Sequence, residues 1–136
     1  MKKTMRKSLA GMVFLAAVLT AGSAASQTNP PLMVQDAVVC RDVVERTPVG
    51  PGEVFPDTIS RLCCFTRVTG AAAETEIVHN WYYNGRLMAS IPLRVASADW
   101  RTYSAKRIAP HQTGEWMVEV LAADGTPLTR MVFLIA

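Results

Sequence analysis

The chain has 136 residues, half of them apolar, with 14 Lys and Arg against 11 Asp and Glu. Four basic residues, Lys2, Lys3, Arg6 and Lys7, precede the first apolar run, so the rest carries ten basic and eleven acidic residues, a net charge of −1. That balance excludes the basic stripe of a nucleic-acid-binding surface, since Arg101, Lys106 and Arg107 make only a local cluster.

Residues 1–26 have the layout of a secretory signal peptide: a basic start, an apolar stretch from Leu9 to Ala21, and the small residues Gly22 to Ser26. The apolar stretch is about 13 residues, short of the roughly 20 that span a bilayer. Export with cleavage near Ala24, Ala25 or Ser26 is therefore expected, with a periplasmic or secreted product and no stable membrane span after cleavage. The remaining length of about 110 residues is enough for one domain with one core.

After the signal, residues 27–36, with Asn29-Pro30-Pro31, read as an extended lead-in, and 37–136 as an all-β domain. Ala37–Arg46 and Ile59–Val68 are strand-like. Between them Thr47–Pro56 holds Pro48, Gly50, Pro51, Gly52 and Pro56 and reads as a loop, excluded from any helix or central strand. Further strands are predicted at Glu76–Tyr83, Arg86–Val95, Trp100–Ile108, Glu115–Leu121 and Leu128–Ile135. Gly70–Glu76 reads as a loop with at most one helical turn. About seven strands at short spacing predict a single immunoglobulin-like antiparallel sandwich.

Two hairpins carry register information. A two-residue turn at Asp124-Gly125 pairs Trp116 with Phe133, Val118 with Met131 and Val120 with Thr129, placing apolar side chains on one face and Glu115, Glu119 and Arg130 on the other. Trp116, Val118, Val120, Met131, Phe133 and Ile135 are the predicted core. At Asn84-Gly85 a two-residue turn exposes His79, Trp81 and Tyr83 as an aromatic row. A three-residue turn instead pairs Trp81 with Leu87, His79 with Ala89 and Ile77 with Ile91, all facing the core. Hydrophobic consistency favours the second, leaving Tyr82, Asn80 and Arg86 to solvent.

The chemistry-bearing residues are few. His79 and His111 are the only histidines, and no His-x-His, His-x3-His or Cys-x2-Cys spacing is present for a metal. His79 reads as a polar core or site residue and His111 as a solvated turn residue. Ser104 lacks nucleophile-elbow glycines, so no enzyme activity, metal or cofactor is expected. Trp100 to Lys106 is the best candidate surface. Alternation puts Trp100, Thr102, Ser104 and Lys106 on one face and Arg101, Tyr103 and Ala105 on the other. Such a strand is either an edge guarded by charges or a binding face whose rings supply area and whose cations select anions. Tyr82 is added to the candidate face, giving Trp100, Arg101, Tyr103, Lys106 and Tyr82.

Cys40, Cys63 and Cys64 complete the inventory. In an oxidising compartment Cys40 joined to one of the adjacent pair would close a loop of about 25 residues, contributing roughly 3 kcal/mol. The third thiol is either buried and inert or paired between chains.

The segments Cys40-Arg41-Asp42-Val43-Val44-Glu45-Arg46, Cys64-Phe65-Thr66, His79-Asn80-Trp81, Trp100 to Lys106 and Gly114-Glu115-Trp116-Met117-Val118 resemble the uncharacterised bacterial family called domain of unknown function 2914, from about Val39 to Ile135. The family pattern has Trp where this chain has Tyr103 and an aromatic where it has Cys63. The resemblance implies a small envelope-associated β domain, brings no activity, and implies Cys64 as the partner of Cys40. The expected function is a non-catalytic module for protein interaction or structural support in the cell envelope, with an envelope protein or glycan as partner. Carbohydrate binding through Trp100, Tyr103 and Tyr82 is the first alternative, and a small hydrolase or metal protein the second.

Overall fold

The computed structural model describes residues 32–136; the predicted signal peptide and the first part of the lead-in lie outside them. Nine strands follow in chain order: β1 (Met33–Val44), β2 (Thr47–Pro51), β3 (Val54–Phe55), β4 (Arg61–Thr69), β5 (Thr75–Tyr83), β6 (Arg86–Val95), β7 (Asp99–Arg107), β8 (Gly114–Ala122) and β9 (Pro127–Ile135). They form a four-stranded sheet, β2-β1-β4-β7, and a five-stranded sheet, β3-β9-β8-β5-β6. All pairings are antiparallel except β3 with β9. The all-β expectation holds, and among the described residues no helix is long and apolar enough to cross a membrane.

The two sheets stack face to face over a core that draws from both. Val39, Leu62 and Cys64 of the first sheet meet Trp81, Trp116, Val118, Phe133 and Ile135 of the second, all at most 4% exposed. Phe133 is the hub, edge-on to Phe55 and Trp81 and stacked on Trp116, with centroids 5.9, 6.2 and 6.1 Å away. Toward the opposite end Val68, Ile77, Val95 and Val120 make an aliphatic cluster. Aromatic pairs at such separations add to the area they bury, so the Phe133 end is the more strongly bonded.

Two strands more than expected come from Thr47–Pro56. Its prolines exclude it from a sheet interior, yet β2 and β3 occupy sheet edges, where a missing N–H costs no ladder bond. The reversal into β2 is a turn at Glu45 and Arg46, both left-handed at φ 49° and 59°, without the Gly or Asn that usually marks one. The first strand begins at Met33, four positions before the expected Ala37, with a bulge between Val34 and Asp36.

In the last hairpin Trp116 faces Phe133, Val118 faces Met131 and Val120 faces Thr129, as expected. The turn itself differs. Ala122 N–H donates to Thr126 and Gly125 lies at φ 88°, giving a three-residue turn that a bulge between Val120 and Leu121 compensates. Met131 is half-buried rather than fully enclosed. The Asn84-Gly85 hairpin needs a larger correction. The turn is two-residue, with Tyr83 opposite Arg86 and both turn residues left-handed, but a bulge between Trp81 and Tyr82 shifts the ladder. Trp81 therefore faces Ala89, His79 faces Ile91 and Ile77 faces Leu93. The predicted inward face is right while the predicted partners are displaced by two residues, and Leu87 is left 51% exposed beside Tyr82.

Trp116→Ala is expected to lower stability by about 3–5 kcal/mol, the range for truncating an enclosed aromatic, whereas Glu119→Ala, on the outward face of the same strand, should stay within about 0.5 kcal/mol. Denaturant midpoints of the two variants check the register directly.

Candidate binding face

The candidate site is built on β7, and its orientation is set from the inside. His79 and Trp81 of β5 project into the core beside Thr66 of β4 and Ser104 of β7. Trp81 Nε1–H donates to Ser104 Oγ at 3.0 Å. That oxygen lies 2.6 Å from His79 Nδ1, and His79 Nε2 lies 2.9 Å from Thr66 Oγ1. The Ser104 oxygen accepts from Trp81, and each nitrogen of the His79 ring is engaged by one hydroxyl group, Nδ1 by Ser104 and Nε2 by Thr66. This chain ties one sheet to the other. Burial pulls the His79 pKa down from 6.5 to about 4, so the ring is neutral at pH 7.

A serine hydroxyl 2.6 Å from an imidazole resembles a nucleophile and its base. Here His79 is 0% and Ser104 4% exposed, and the Ser104 oxygen is committed to Trp81. Both ring nitrogens of His79 are engaged by hydroxyl groups, which leaves it no free position for a metal. Sequence alternation groups Ser104 with Trp100, Thr102 and Lys106 and gives Thr66 no role, so it does not show that both converge on His79.

With Ser104 inward, its neighbours on β7 sort by alternation. Trp100 faces Val68 and packs on the aliphatic cluster; Lys106 faces Leu62 at the rim, its Nζ donating to the Arg107 carbonyl at 2.8 Å and lying 6.0 Å from the Trp116 ring centre. Arg101, Tyr103, Ala105 and Arg107 point outward. Tyr82 faces Met117 on the outer surface of the other sheet. The five expected face residues are thus divided among three surfaces, and Trp100, Tyr103 and Tyr82 do not form one stacking platform. Only Arg101 and Tyr103 share an exposed face.

That face holds residues the sequence reading missed. Arg101 lies directly opposite Arg67, Tyr103 opposite Phe65, and Arg107 opposite Arg61. Two like-charged cross-strand pairs thus bracket one aromatic pair, an arrangement that costs stability in an isolated sheet. Asp99 relieves one guanidinium, gripping Arg67 with both oxygens at 3.0 and 2.7 Å, and Asp42 reaches Arg61 at 3.5 Å. The Arg67 fork holds the Asp99 carboxyl below the usual carboxylate range. Among the described residues Arg101 and Arg107 have no ion pair. Tyr103 stands 43% exposed between them. The signal was available in the β4–β7 pairing, which the sequence left open.

The cysteines are also rearranged. The register sets Cys40 opposite Cys63, and Cys64 opposite Val39 on the core side, which corrects the expected Cys40–Cys64 partnership. All three are free thiols. Burial pushes the Cys64 thiol up to about 12 and the Cys40 thiol up to about 11.

Elsewhere, an open cleft of about 420 Å³ lies between β1 and β9, with Glu53 and Arg130 its charged lining residues. It gathers no titratable cluster.

Residues 74–135 match the family described as Protein of unknown function (DUF2914), the family that the sequence resembles. The matched stretch begins just before β5 and ends with β9, taking in His79, Trp81, Arg101, Tyr103, Ser104 and Arg107 but not the cysteines or the arginines of β4. No curated protein matches the chain.

The imidazole chain makes stability depend on pH. The folded pKa lies below the unfolded one, so the unfolded chain binds the extra proton and stability falls as pH drops from about 6.5 toward 4. Between pH 7 and pH 5 the loss from this group should be about 2 kcal/mol. His79→Gln should flatten that slope whatever its own cost, and denaturant titrations of both proteins at the two pH values measure it.

Proposed function

We propose that the chain is a non-catalytic, exported module of immunoglobulin-like type that binds an anionic protein partner through the outer face of the β2-β1-β4-β7 sheet. The observation that carries this is the pair of guanidinium groups without an ion pair among the described residues, Arg101 and Arg107, flanking exposed Tyr103 opposite Arg67 and Arg61, which are paired with Asp99 and Asp42. Arginine forks recognise carboxylates bidentately, and tyrosine beside arginine is a usual centre of a protein interface.

Spacing favours a protein over a single sugar. Arg101 and Arg107 are six positions apart on one strand, about 20 Å at strand rise. A partner that engages both must present carboxylates over that span. The dispersal of Trp100, Tyr103 and Tyr82 over three surfaces argues against a glycan-stacking platform. The immunoglobulin-like type is supported by the β5-β6 and β8-β9 hairpins meeting through β5 and β8, with β4 and β7 in the facing sheet. Export, and with it a periplasmic or secreted location in the cell envelope, rests on the N-terminal pattern of basic, apolar and small residues.

Arg101→Ala and Arg107→Ala are expected to reduce partner recovery from envelope extracts several-fold, with the thermal midpoint shifting little, since exposed charges contribute within about 0.5 kcal/mol. Lys106→Ala, at the rim and off this face, should leave recovery unchanged. Light scattering supplies the contrast: normal recovery with increased aggregation in the arginine variants would mean that they guard an exposed edge strand and would overturn the binding reading.

A further inference from the structure

We infer that Cys40 and Cys63 form an oxidisable cross-strand dithiol, closing to a disulfide that staples β1 to β4 beneath the arginine-bearing face. The two residues lie directly opposite one another in the antiparallel ladder. Their side chains share one small cluster with Phe65, Val38 and Val43, and Cys40 Sγ sits 3.8 Å from the Cys63 carbonyl oxygen. Directly opposed residues have Cα atoms about 4.5–5.5 Å apart, within the roughly 4.4–6.8 Å that a disulfide spans.

The other two pairings fail on direction. Cys64 follows Cys63 on an extended strand and so points to the opposite side, where it packs against the core that holds Val39, Trp81 and Trp116. Its bond vector diverges from those of both Cys40 and Cys63, and such pairs cannot be bridged without moving the backbone. The third thiol is therefore an enclosed core residue.

The chemistry needs an oxidant carrying a disulfide, either a small-molecule disulfide or a thiol–disulfide oxidoreductase. One cysteine thiolate attacks the oxidant's disulfide, forming a mixed disulfide and expelling one thiolate. The second cysteine attacks the protein sulfur of that mixed bond and releases the other thiol. Two protein thiols lose two protons and two electrons, and the oxidant is reduced to two thiols. Burial holds both thiols above their ordinary pKa, and both are 0% exposed. Exchange should therefore be slow in the closed fold and fast while β1 and β4 are still separating or coming together. The inference concerns the thiols alone and stands apart from the binding reading.

The test uses the purified protein, reduced and then refolded from denaturant in the presence of oxidised glutathione. Free thiols are blocked under denaturing conditions and the peptides mapped without reduction. The expected result is Cys40 linked to Cys63 with Cys64 alkylated, and a thermal midpoint for the oxidised protein about 10 °C above the reduced one. Cys63→Ala should abolish the link and the shift, and it leaves the core-facing Cys64 intact. A Cys40–Cys64 link in the wild type, or three alkylatable thiols after refolding with the oxidant, would overturn the inference. An unchanged midpoint with the link present would overturn its stapling role.

Discussion

The bridge from Thr66 through His79 to Ser104 and Trp81 is the contact on which the remaining geometry depends. It joins β4 and β7 of one sheet to β5 of the other through polar atoms in an otherwise apolar interior. Enclosing an imidazole is costly unless both nitrogens are engaged, and an orphaned partner costs about 1–3 kcal/mol. The bridge is therefore intolerant of slippage. A one-residue shift of β5 would carry His79 and Trp81 outward and strand two hydroxyl groups inside. Apolar packing alone would tolerate several displacements along the strand; this hydrogen-bonded chain tolerates one arrangement.

The exterior follows from the interior through the two-residue period of a strand. Ser104 turned inward dictates that Tyr103 and Ala105 turn outward, and Arg101 and Arg107 with them. The same rule on β4 turns Arg61, Cys63, Phe65 and Arg67 outward because Leu62, Cys64, Thr66 and Val68 are committed to the core. The arginine pairs are thus brought face to face by the inward-facing residues between them. Asp99 and Asp42 offset part of the repulsion and leave the β7 members unpaired. A partner's carboxylates would complete the neutralisation that the domain itself leaves half done.

Much of this was legible beforehand where one face of a strand is plainly apolar. Trp116, Val118, Val120 and Phe133 took the expected positions because a one-residue slip would expose them. The Asn84-Gly85 hairpin was legible only as to face. Its inward residues are right, but a bulge between Trp81 and Tyr82 moved their partners, and bulges leave little trace in one sequence. Glu45-Arg46 turns without turn residues, β2 holds Pro48, Gly50 and Pro51, and β3 is two residues set between Gly52 and Pro56, so local propensity misread all three. Cys64 was assigned to Cys40 through the family pattern, whereas the partner of Cys40 depends on the β1–β4 register, which no local signal specifies. The candidate face was half legible for the same reason. Alternation on β7 separated Arg101 and Tyr103 from Trp100 and Lys106, but Arg61 and Arg67 joined them only through a long-range pairing.

The rigidity of the sheet bears on how such a face would work. Flexible arginines on a loop would lose backbone as well as side-chain freedom on binding. Here β7 is hydrogen-bonded along its whole length to β4, and Ser104 at its centre is anchored to the facing sheet. The roughly 20 Å between Arg101 and Arg107 is consequently fixed before any partner arrives, and only side-chain rotamers remain to be ordered. A rigid span of that length would select partners by the separation of their negative charges. The sheet would contribute specificity in this way even though each exposed contact by itself is weak.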